Sequence, residues 1–180
     1  DSWRVETQSG ESVDARRVVI TTGPHTDELE SVVGLPPLSV RGETILLATL
    51  GDEELARLSG LPSVLARLDH SPYGDLYLVP PTPYPDGRIR LKMGATLRSP
   101  NRLDSGGDRR AWMAGDDHRR EQSDLVALLA DLLPDLATTS LDTRPCLITD
   151  TDSGLPYVDH LDHDLVVAVG GNGYAAKSAN

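Results

Sequence analysis

Lysine occurs at only two positions in this chain. Of its 17 lysine and arginine residues, Lys92 and Lys177 are the only lysines, so arginine carries nearly all the positive charge. An ammonium is a compact point charge that can stabilise developing negative charge or pair with a carboxylate, whereas a guanidinium is a planar fork. The sparing use of lysine makes both positions candidates for a site, although a lone lysine is more often a solvated surface residue.

A glycine-rich turn follows a short apolar run near the end of the sequence. Residues 165–169 are apolar and are followed by Gly170, Gly171, Asn172 and Gly173. A buried strand that runs into glycines and then small residues is typical of the turn that brings backbone N–H groups against a ligand. Taken alone the turn is weak evidence, because strand ends also need glycine for close packing.

The composition excludes several classes of function. A formal charge of −11 and a pI near 4.7 leave no basic patch for a nucleic-acid partner. No apolar run reaches the length of a membrane span and no signal segment is visible, so no membrane partner is expected. The single cysteine, Cys146, excludes an internal disulfide, favours a cytoplasmic setting and taken alone resembles a small buried hydrophobe. The five histidines show no metal-ligand spacing, so no metal is expected.

The pattern around Lys92 predicts two antiparallel strands. Leu76–Val79 and Arg88–Gly94 have strand-like composition, and the proline-rich residues 80–87 form the turn between them. The odd-numbered apolar residues of the second strand share a core face, which leaves Lys92 on the opposite face. Without further information that second face is expected to meet solvent.

The other elements are predicted from periodicity and from turn residues. They are a hairpin over residues 3–15, an apolar strand over 17–23, a helix from Pro24 to Gly34, a strand over 40–48, a short helix over 52–59, an exposed loop over 100–107 and a helix from Leu125 to Leu132. The last is the clearest, because its leucines repeat at the helical spacing and Pro134 ends it.

Six motifs follow one another across nearly the whole chain. They are Ala15–Thr26, which contains Val-Val-Ile-Thr-Thr-Gly, then Pro37–Gly42, Tyr77–Pro80, Leu91–Gly94, Arg144–Cys146 and Gly170–Lys177. No single motif is specific, but in this order and spacing they resemble the later half of the glycine/D-amino-acid oxidase superfamily of FAD-dependent oxidoreductases. Within it the chain looks most like the sarcosine oxidase and N-methyltryptophan oxidase branch.

The resemblance implies roles for individual residues. A lysine at the Lys92 position stands over the flavin and assists its reaction with oxygen. The lysine at the Lys177 position helps to hold the substrate carboxylate beside the flavin, and some members attach the flavin covalently to the cysteine at the Cys146 position. Backbone contact with the flavin ring is implied for Gly170, Gly171, Asn172 and Gly173. The implied substrate pocket includes Lys177 and the side chains of Tyr77, Thr96 and Tyr174.

The departures from the family pattern also carry information. Ile148 stands where the branch commonly has an aromatic residue, and Thr96 stands where it has a histidine. The histidine that is often found four residues before the terminal lysine is not kept, and Tyr174 lies three residues before Lys177. These changes should reshape the pocket, so sarcosine is not the expected substrate. The chain lacks the G-x-G-x-x-G fingerprint that the family carries at its N-terminus. With Asp1 in place of a start methionine, the sequence is expected to be a fragment that lacks the N-terminal FAD-binding segment.

The sequence as a whole predicts a mixed α/β (α+β) fold. Residues 1–36 and 151–180 are expected to be partial pieces of a Rossmann-like FAD-binding domain, and residues 37–150 a mainly antiparallel substrate-binding domain with helices. The implied activity is FAD-dependent oxidation of a small-molecule amino acid or N-alkyl amino acid. A hydride passes from the carbon next to nitrogen to the flavin, the resulting imine hydrolyses, and oxygen reoxidises the flavin. The alternatives are a non-catalytic isolated domain without flavin and a dehydrogenase of the same fold that uses another electron acceptor.

Overall fold

The protein divides into two compact units. In the computed structural model, residues 2–29, 32–69 and 71–174 are described. The first unit comprises Asp1–Arg41 and Ile148–Asn180, and the second unit comprises Gly42–Leu147. Each unit has its own hydrophobic cluster.

Eleven strands and three α-helices occur in the described residues. In chain order they are β1 (Trp3–Glu6), β2 (Ser12–Ala15), β3 (Val18–Ile20), β4 (Ser39–Leu50), α1 (Asp52–Arg57), β5 (Val64–Arg67), β6 (Tyr73–Pro83), β7 (Ile89–Leu97), β8 (Asn101–Arg102), α2 (Gly106–Ala114), α3 (Gln122–Leu132), β9 (Thr138–Asp150), β10 (Tyr157–Asp162) and β11 (Leu165–Val169). Two 3₁₀ helices, Gly23–Glu28 and Asp117–Glu121, complete the set. No helix among the described residues is long and apolar enough to span a membrane.

The first unit contains a hairpin and a small mixed sheet. β1 and β2 pair antiparallel. β11 lies between β10, to which it is antiparallel, and β3, to which it is parallel. The alternate residues Leu165, Val167 and Val169 are buried because one face of β11 covers the hydrophobic cluster of this unit.

The second unit is built on a six-stranded sheet, one face of which packs against α3. The strands lie in the order β5-β6-β7-β4-β8, and β9 also pairs with β4. Leu125 and Leu129 are four residues apart on one face of α3, and both are buried. The strand residues of the same cluster include Leu46, Ala48, Leu76, Leu78, Leu91 and Met93. This surface is called the core face below.

The mixed, mostly antiparallel architecture confirms the predicted fold class. The hairpin, the antiparallel pairing of β6 with β7 and the helix α3 were all predicted from the sequence. β6 continues to Pro83, further than predicted, because the register shifts between Val79 and Thr82 and so accommodates two prolines.

Two sequence predictions were wrong. The helix after Pro24 is a 3₁₀ helix that ends at Glu28, so no α-helical face includes Leu29. Residues 100–107 are not one loop, because β8 lies within them and α2 begins at Gly106. Two adjacent glycines disfavour a helix, but Ser105 and Asp108 form a capping box that satisfies the first backbone donors of α2.

Gly42 of β4 lies directly against Trp112 of α2. A Cβ atom at Gly42 would lie 2.6 Å from Cε2 of Trp112, a distance that van der Waals packing does not permit. Gly42→Ala should therefore force the buried indole to move and lower the free energy of unfolding by about 1–3 kcal/mol.

Urea unfolding of the two alanine variants Gly42→Ala and Gly60→Ala tests this packing. Nothing lies within 4 Å of a Cβ atom at Gly60, so the control should change the free energy of unfolding by less than about 0.5 kcal/mol. Equal effects of the two substitutions would contradict the assignment of Gly42 as a packing position.

Candidate active site

Lys92 lies on the face of the six-stranded sheet opposite the core face. It pairs directly with Leu47 of β4 and Val79 of β6. Its neighbours in sequence, Leu91 and Met93, have no exposed surface because they point into the core. We call the face of Lys92, Gly94 and Thr96 the site face. Lys92 is only partly exposed on this face, so the expectation that the face meets solvent holds in part.

Tyr77 forms the floor of the site face beside Lys92. It lies directly opposite Gly94 in the β6–β7 ladder. A Cβ atom at Gly94 would be 2.6–2.7 Å from the Cε1, Cζ and hydroxyl atoms of Tyr77, so only glycine lets the ring lie against β7. The Lys92 Nζ atom is 5.5 Å from the centroid of this ring, within the range of a cation–π interaction. The ring therefore helps to fix the position of the ammonium.

Arg90 occupies the previous position on the same face but is differently engaged. Its guanidinium donates two hydrogen bonds to Asp86, at 2.8 and 2.5 Å, and lies 5.0 Å from the Tyr84 ring centroid. These hydrogen bonds hold the pKa of Asp86 well below its ordinary value, at about 2. Within the described part of the chain Lys92 forms no ion pair with a carboxylate. Lys92 is thus a cation of this face whose charge no carboxylate among the described residues neutralises.

Cys146 belongs to the surroundings of Tyr77. Burial, together with the smaller effects of the neighbouring ionisable groups Cys146 and Tyr84, raises the pKa of Tyr77 to about 12. Cys146 is a free, partly buried cysteine. Its backbone carbonyl accepts a hydrogen bond of 3.1 Å from Nε1 of Trp112. Trp112 therefore fixes the backbone of the predicted flavin-linkage residue.

Thr96 lies at the other end of the site face from Arg90. Its hydroxyl donates a hydrogen bond of 2.7 Å to the Oε1 atom of Glu43. Glu43 lies two residues before Ile45, which pairs with Gly94, so Glu43 and Thr96 share the site face. The structure thus brings Tyr77, Lys92 and Thr96 onto one surface of the second unit, with Cys146 close to Tyr77.

The predicted glycine turn lies in the first unit, directly after β11. Gly170 and Gly173 have positive φ angles of 76° and 72°. A Cβ atom at Gly170 would lie 2.3 Å from Cγ2 of Thr151, so this position requires glycine for close packing as well as for its backbone conformation.

The side chain of Asn172 is used to hold this turn together. Its Oδ1 atom accepts a 2.8 Å hydrogen bond from the backbone N–H of Thr151, and its Nδ2 atom donates to the Gly170 carbonyl at 2.7 Å. The Asn172 backbone N–H donates to the Thr149 carbonyl at 2.9 Å. Asn172 is buried, so its side chain serves the shape of the turn.

The turn lies at the carboxyl edge of the parallel strand pair. β11 ends at Val169 and its parallel neighbour β3 ends at Ile20, so the turns after these strands emerge at the same edge. This is the edge of an open α/β sheet at which ligands bind. Tyr174 is largely exposed beyond the turn. Lys177 lies outside the described residues.

The chain belongs to the FAD-dependent oxidoreductase family named DAO, whose family model matches residues 1–180. This confirms the family resemblance inferred from the ordered motifs. No curated protein sequence matches the chain.

Solved structures of similar fold come from several oxidases. NikD, an unusual amino acid oxidase essential for nikkomycin biosynthesis, has a TM-score of 0.67 and 22% identity, over 93% of this chain and 43% of NikD. Fructosyl peptide oxidase from E. terrenum has a TM-score of 0.65 and 18% identity, over 97% of this chain and 41% of that protein. Glycine oxidase from Geobacillus kaustophilus has a TM-score of 0.54 and 24% identity, over 94% of this chain and 39% of that protein. The chain thus spans about two fifths of these proteins.

The residues present fit part of an FAD site. The turn after β11 lies at the edge where open α/β sheets bind nucleotide cofactors. The site face offers a fixed cation, Lys92, next to an aromatic ring. The fit is partial because the sequence contains no G-x-G-x-x-G fingerprint.

Glu43 and Trp112 are residues that sequence reasoning missed. Glu43 could have been found by counting the β4–β7 register, which places it beside Thr96, but that register is not readable from one sequence. Trp112 was missed because no helix was predicted over residues 106–114. The pairing of Tyr77 with Gly94 was also missed, because the predicted turn over residues 80–87 would place Tyr77 opposite Arg90, whereas β6 continues to Pro83.

The raised pKa of Tyr77 predicts a loss of stability at alkaline pH. The folded protein holds the phenol proton more tightly than the unfolded chain, so this contribution is present below pH 10 and is lost as the pH rises through about 12. Tyr77→Phe should reduce the decline in the free energy of unfolding over this interval by about 1.4 kcal/mol per pH unit. Urea unfolding of wild type and variant between pH 10 and about 12 measures the decline in the free energy of unfolding. Equal declines in the two proteins would contradict the burial of this phenol.

Proposed function

We propose that this chain is part of an FAD-dependent enzyme that oxidises an amino acid or N-alkyl amino acid at the carbon next to nitrogen and uses oxygen as the electron acceptor. The observation that carries the proposal is the placement of Lys92. The Lys92 ammonium has no carboxylate partner among the described residues. It lies over the Tyr77 ring on the site face, opposite the core face. NikD and glycine oxidase, which have similar folds, are described as amino acid oxidases by their names, which agrees with this substrate class.

FAD, when bound, would accept a hydride from the substrate and pass its electrons to oxygen. The residues of this chain would position the charges and the binding surfaces that this reaction requires. Lys92 places a positive charge that stabilises the negative charge developing during oxygen reduction. Tyr77 and Thr96 of the second unit would contribute to substrate binding, as would Tyr174 and Lys177 of the first unit, and Lys177 would bind the substrate carboxylate. The backbone of Gly170, Gly171, Asn172 and Gly173 would contact the cofactor.

Lys92→Met in the full-length, flavin-loaded protein should slow the oxygen reaction selectively. Methionine has a similar length but no charge, so the rate of reoxidation by oxygen should fall by about 100-fold, as expected when one electrostatic contact is removed. The rate of anaerobic flavin reduction by substrate should change by less than about 5-fold. Stopped-flow absorbance measures each half-reaction separately.

Lys92→Arg is the matched control, because it keeps the positive charge and should retain more of the reoxidation rate than Lys92→Met. Equal losses in the two half-reactions of Lys92→Met would contradict the role of Lys92 in oxygen reduction. Wild-type reduction by amino acids with slow reoxidation by oxygen, and fast transfer to an artificial acceptor, would instead identify the dehydrogenase alternative.

Cys146 is proposed to carry the flavin covalently. Its carbonyl is held by Trp112 and its side chain lies among groups of the site face. The full-length protein should therefore stay yellow in the pellet after acid precipitation, and Cys146→Ser should release all its flavin into the supernatant. A colourless wild-type pellet would exclude the covalent bond, and a protein that never binds flavin would support the non-catalytic alternative.

The reducing setting that a single cysteine favours makes a cytoplasmic location part of this proposal.

A further inference from the structure

The Tyr77 ring lies against the backbone of Gly94 on the site face. The two residues are directly opposite each other in the β6–β7 ladder. A Cβ atom on residue 94 would lie 2.6–2.7 Å from three atoms of the tyrosine side chain, so any larger residue would push the ring away from β7. A glycine that is covered by an aromatic ring stabilises a strand pair, and by itself this contact indicates no catalytic role.

The position of Lys92 beside this ring points to a role beyond stability. Lys92 pairs with Val79, two residues along β6 from Tyr77, so the lysine and the tyrosine are diagonal neighbours on one face. The Lys92 Nζ atom lies 5.5 Å from the ring centroid. Lysine has a flexible four-carbon stem, so an unrestrained ammonium occupies many positions. A cation–π interaction raises the population of one position by about 2- to 30-fold.

An aromatic ring holds a cation without cancelling its charge, whereas a carboxylate does both. Arg90 lies 5.0 Å from the Tyr84 ring centroid, but it also donates two hydrogen bonds to Asp86, which neutralises it. Burial raises the pKa of Tyr77 to about 12, so the phenol beside Lys92 is uncharged at neutral pH. Lys92 thus lies on an uncharged surface and has no carboxylate partner among the described residues.

We propose that Tyr77 and Gly94 are positioning residues of the oxygen half-reaction, which hold the Lys92 ammonium in one place without neutralising it. In this half-reaction the reduced flavin gives two electrons and two protons to oxygen, which leaves oxidised flavin and hydrogen peroxide. Negative charge develops on oxygen as the electrons arrive, and a cation that is already in place stabilises this charge without reorganisation. The inference rests on the proposed role of Lys92 and adds the residues that make its charge effective.

The first test measures the contact itself and needs no flavin. Full-length protein that contains isotopically labelled lysine gives an NMR signal for the Lys92 side chain, identified as the signal that Lys92→Met removes. Protons over an aromatic face are shifted upfield by the ring current, so this signal should lie upfield of a solvated lysine. Tyr77→Leu and Gly94→Ala should both move it downfield, whereas Tyr77→Phe should leave it in place.

The second test measures oxygen reduction in the absence of substrate. The full-length, flavin-loaded protein is reduced photochemically with EDTA as the electron donor and is then mixed with oxygen in a stopped-flow instrument. Tyr77→Leu and Gly94→Ala should each slow reoxidation by about 2- to 30-fold, the range of a lost cation–π interaction. Tyr77→Phe keeps the ring and should retain more of the rate than Tyr77→Leu.

Tyr84→Leu is the matched control for the loss of an aromatic ring. It removes the ring beside Arg90, whose charge is already paired with Asp86. The rate of reoxidation should therefore change by less than about 2-fold.

A double-mutant cycle separates positioning from damage to the fold. If Tyr77 acts through Lys92, adding Tyr77→Leu to Lys92→Met should not slow reoxidation further, because the ammonium is already absent. A purely structural effect would slow reoxidation equally in the two backgrounds. Gly94→Ala is compared in the same two backgrounds.

Equal losses from Tyr77→Leu in the two backgrounds, or a Lys92 signal that Tyr77→Leu does not move, would overturn the positioning role and leave the proposed role of Lys92 intact. A protein that shows the expected cycle but oxidises no amino acid would contradict the proposed substrate class and keep the positioning role.

Discussion

The arrangement of the site face depends on the absence of a side chain at Gly94. The Tyr77 ring lies where a Cβ atom of residue 94 would be, and the Lys92 ammonium is placed against that ring. An aromatic residue that covers a glycine on the neighbouring strand also protects the exposed backbone and pins the register of the pair. One missing methyl group thus links the pairing of β6 with β7 to the position of the proposed catalytic cation.

The alternation along β7 couples stability to chemistry. Leu91, Met93 and Ala95 point into the core, whereas Lys92, Gly94 and Thr96 form the site face. A register slip of one residue would exchange these sets and bury an ammonium, so the hydrophobic core specifies which face carries the charge. The same helix α3 that buries Leu125 and Leu129 therefore fixes the site without contacting it.

The sequence predicted the parts of this arrangement that depend on local patterns. Alternation in Ile89–Leu97 and leucine spacing in α3 are local, and both were predicted correctly. The hydrogen bond between Glu43 and Thr96 joins residues 53 positions apart and depends on a strand register that no local pattern encodes. The capping box of α2 was overlooked because Gly106 and Gly107 disfavour helix, although Ser105 and Asp108 satisfy its N-terminus. Nothing in the pattern distinguishes Asn172 as a structural side chain, since its hydrogen bonds depend on Thr151 and the end of β9.

The net charge of −11 bears on the distance over which Lys92 can act. Acidic groups spread over the chain attract small cations and repel small anions over about a Debye length, which is near 10 Å at moderate salt. Lys92 therefore acts against the surrounding field and must act at short range, on charge that develops beside it.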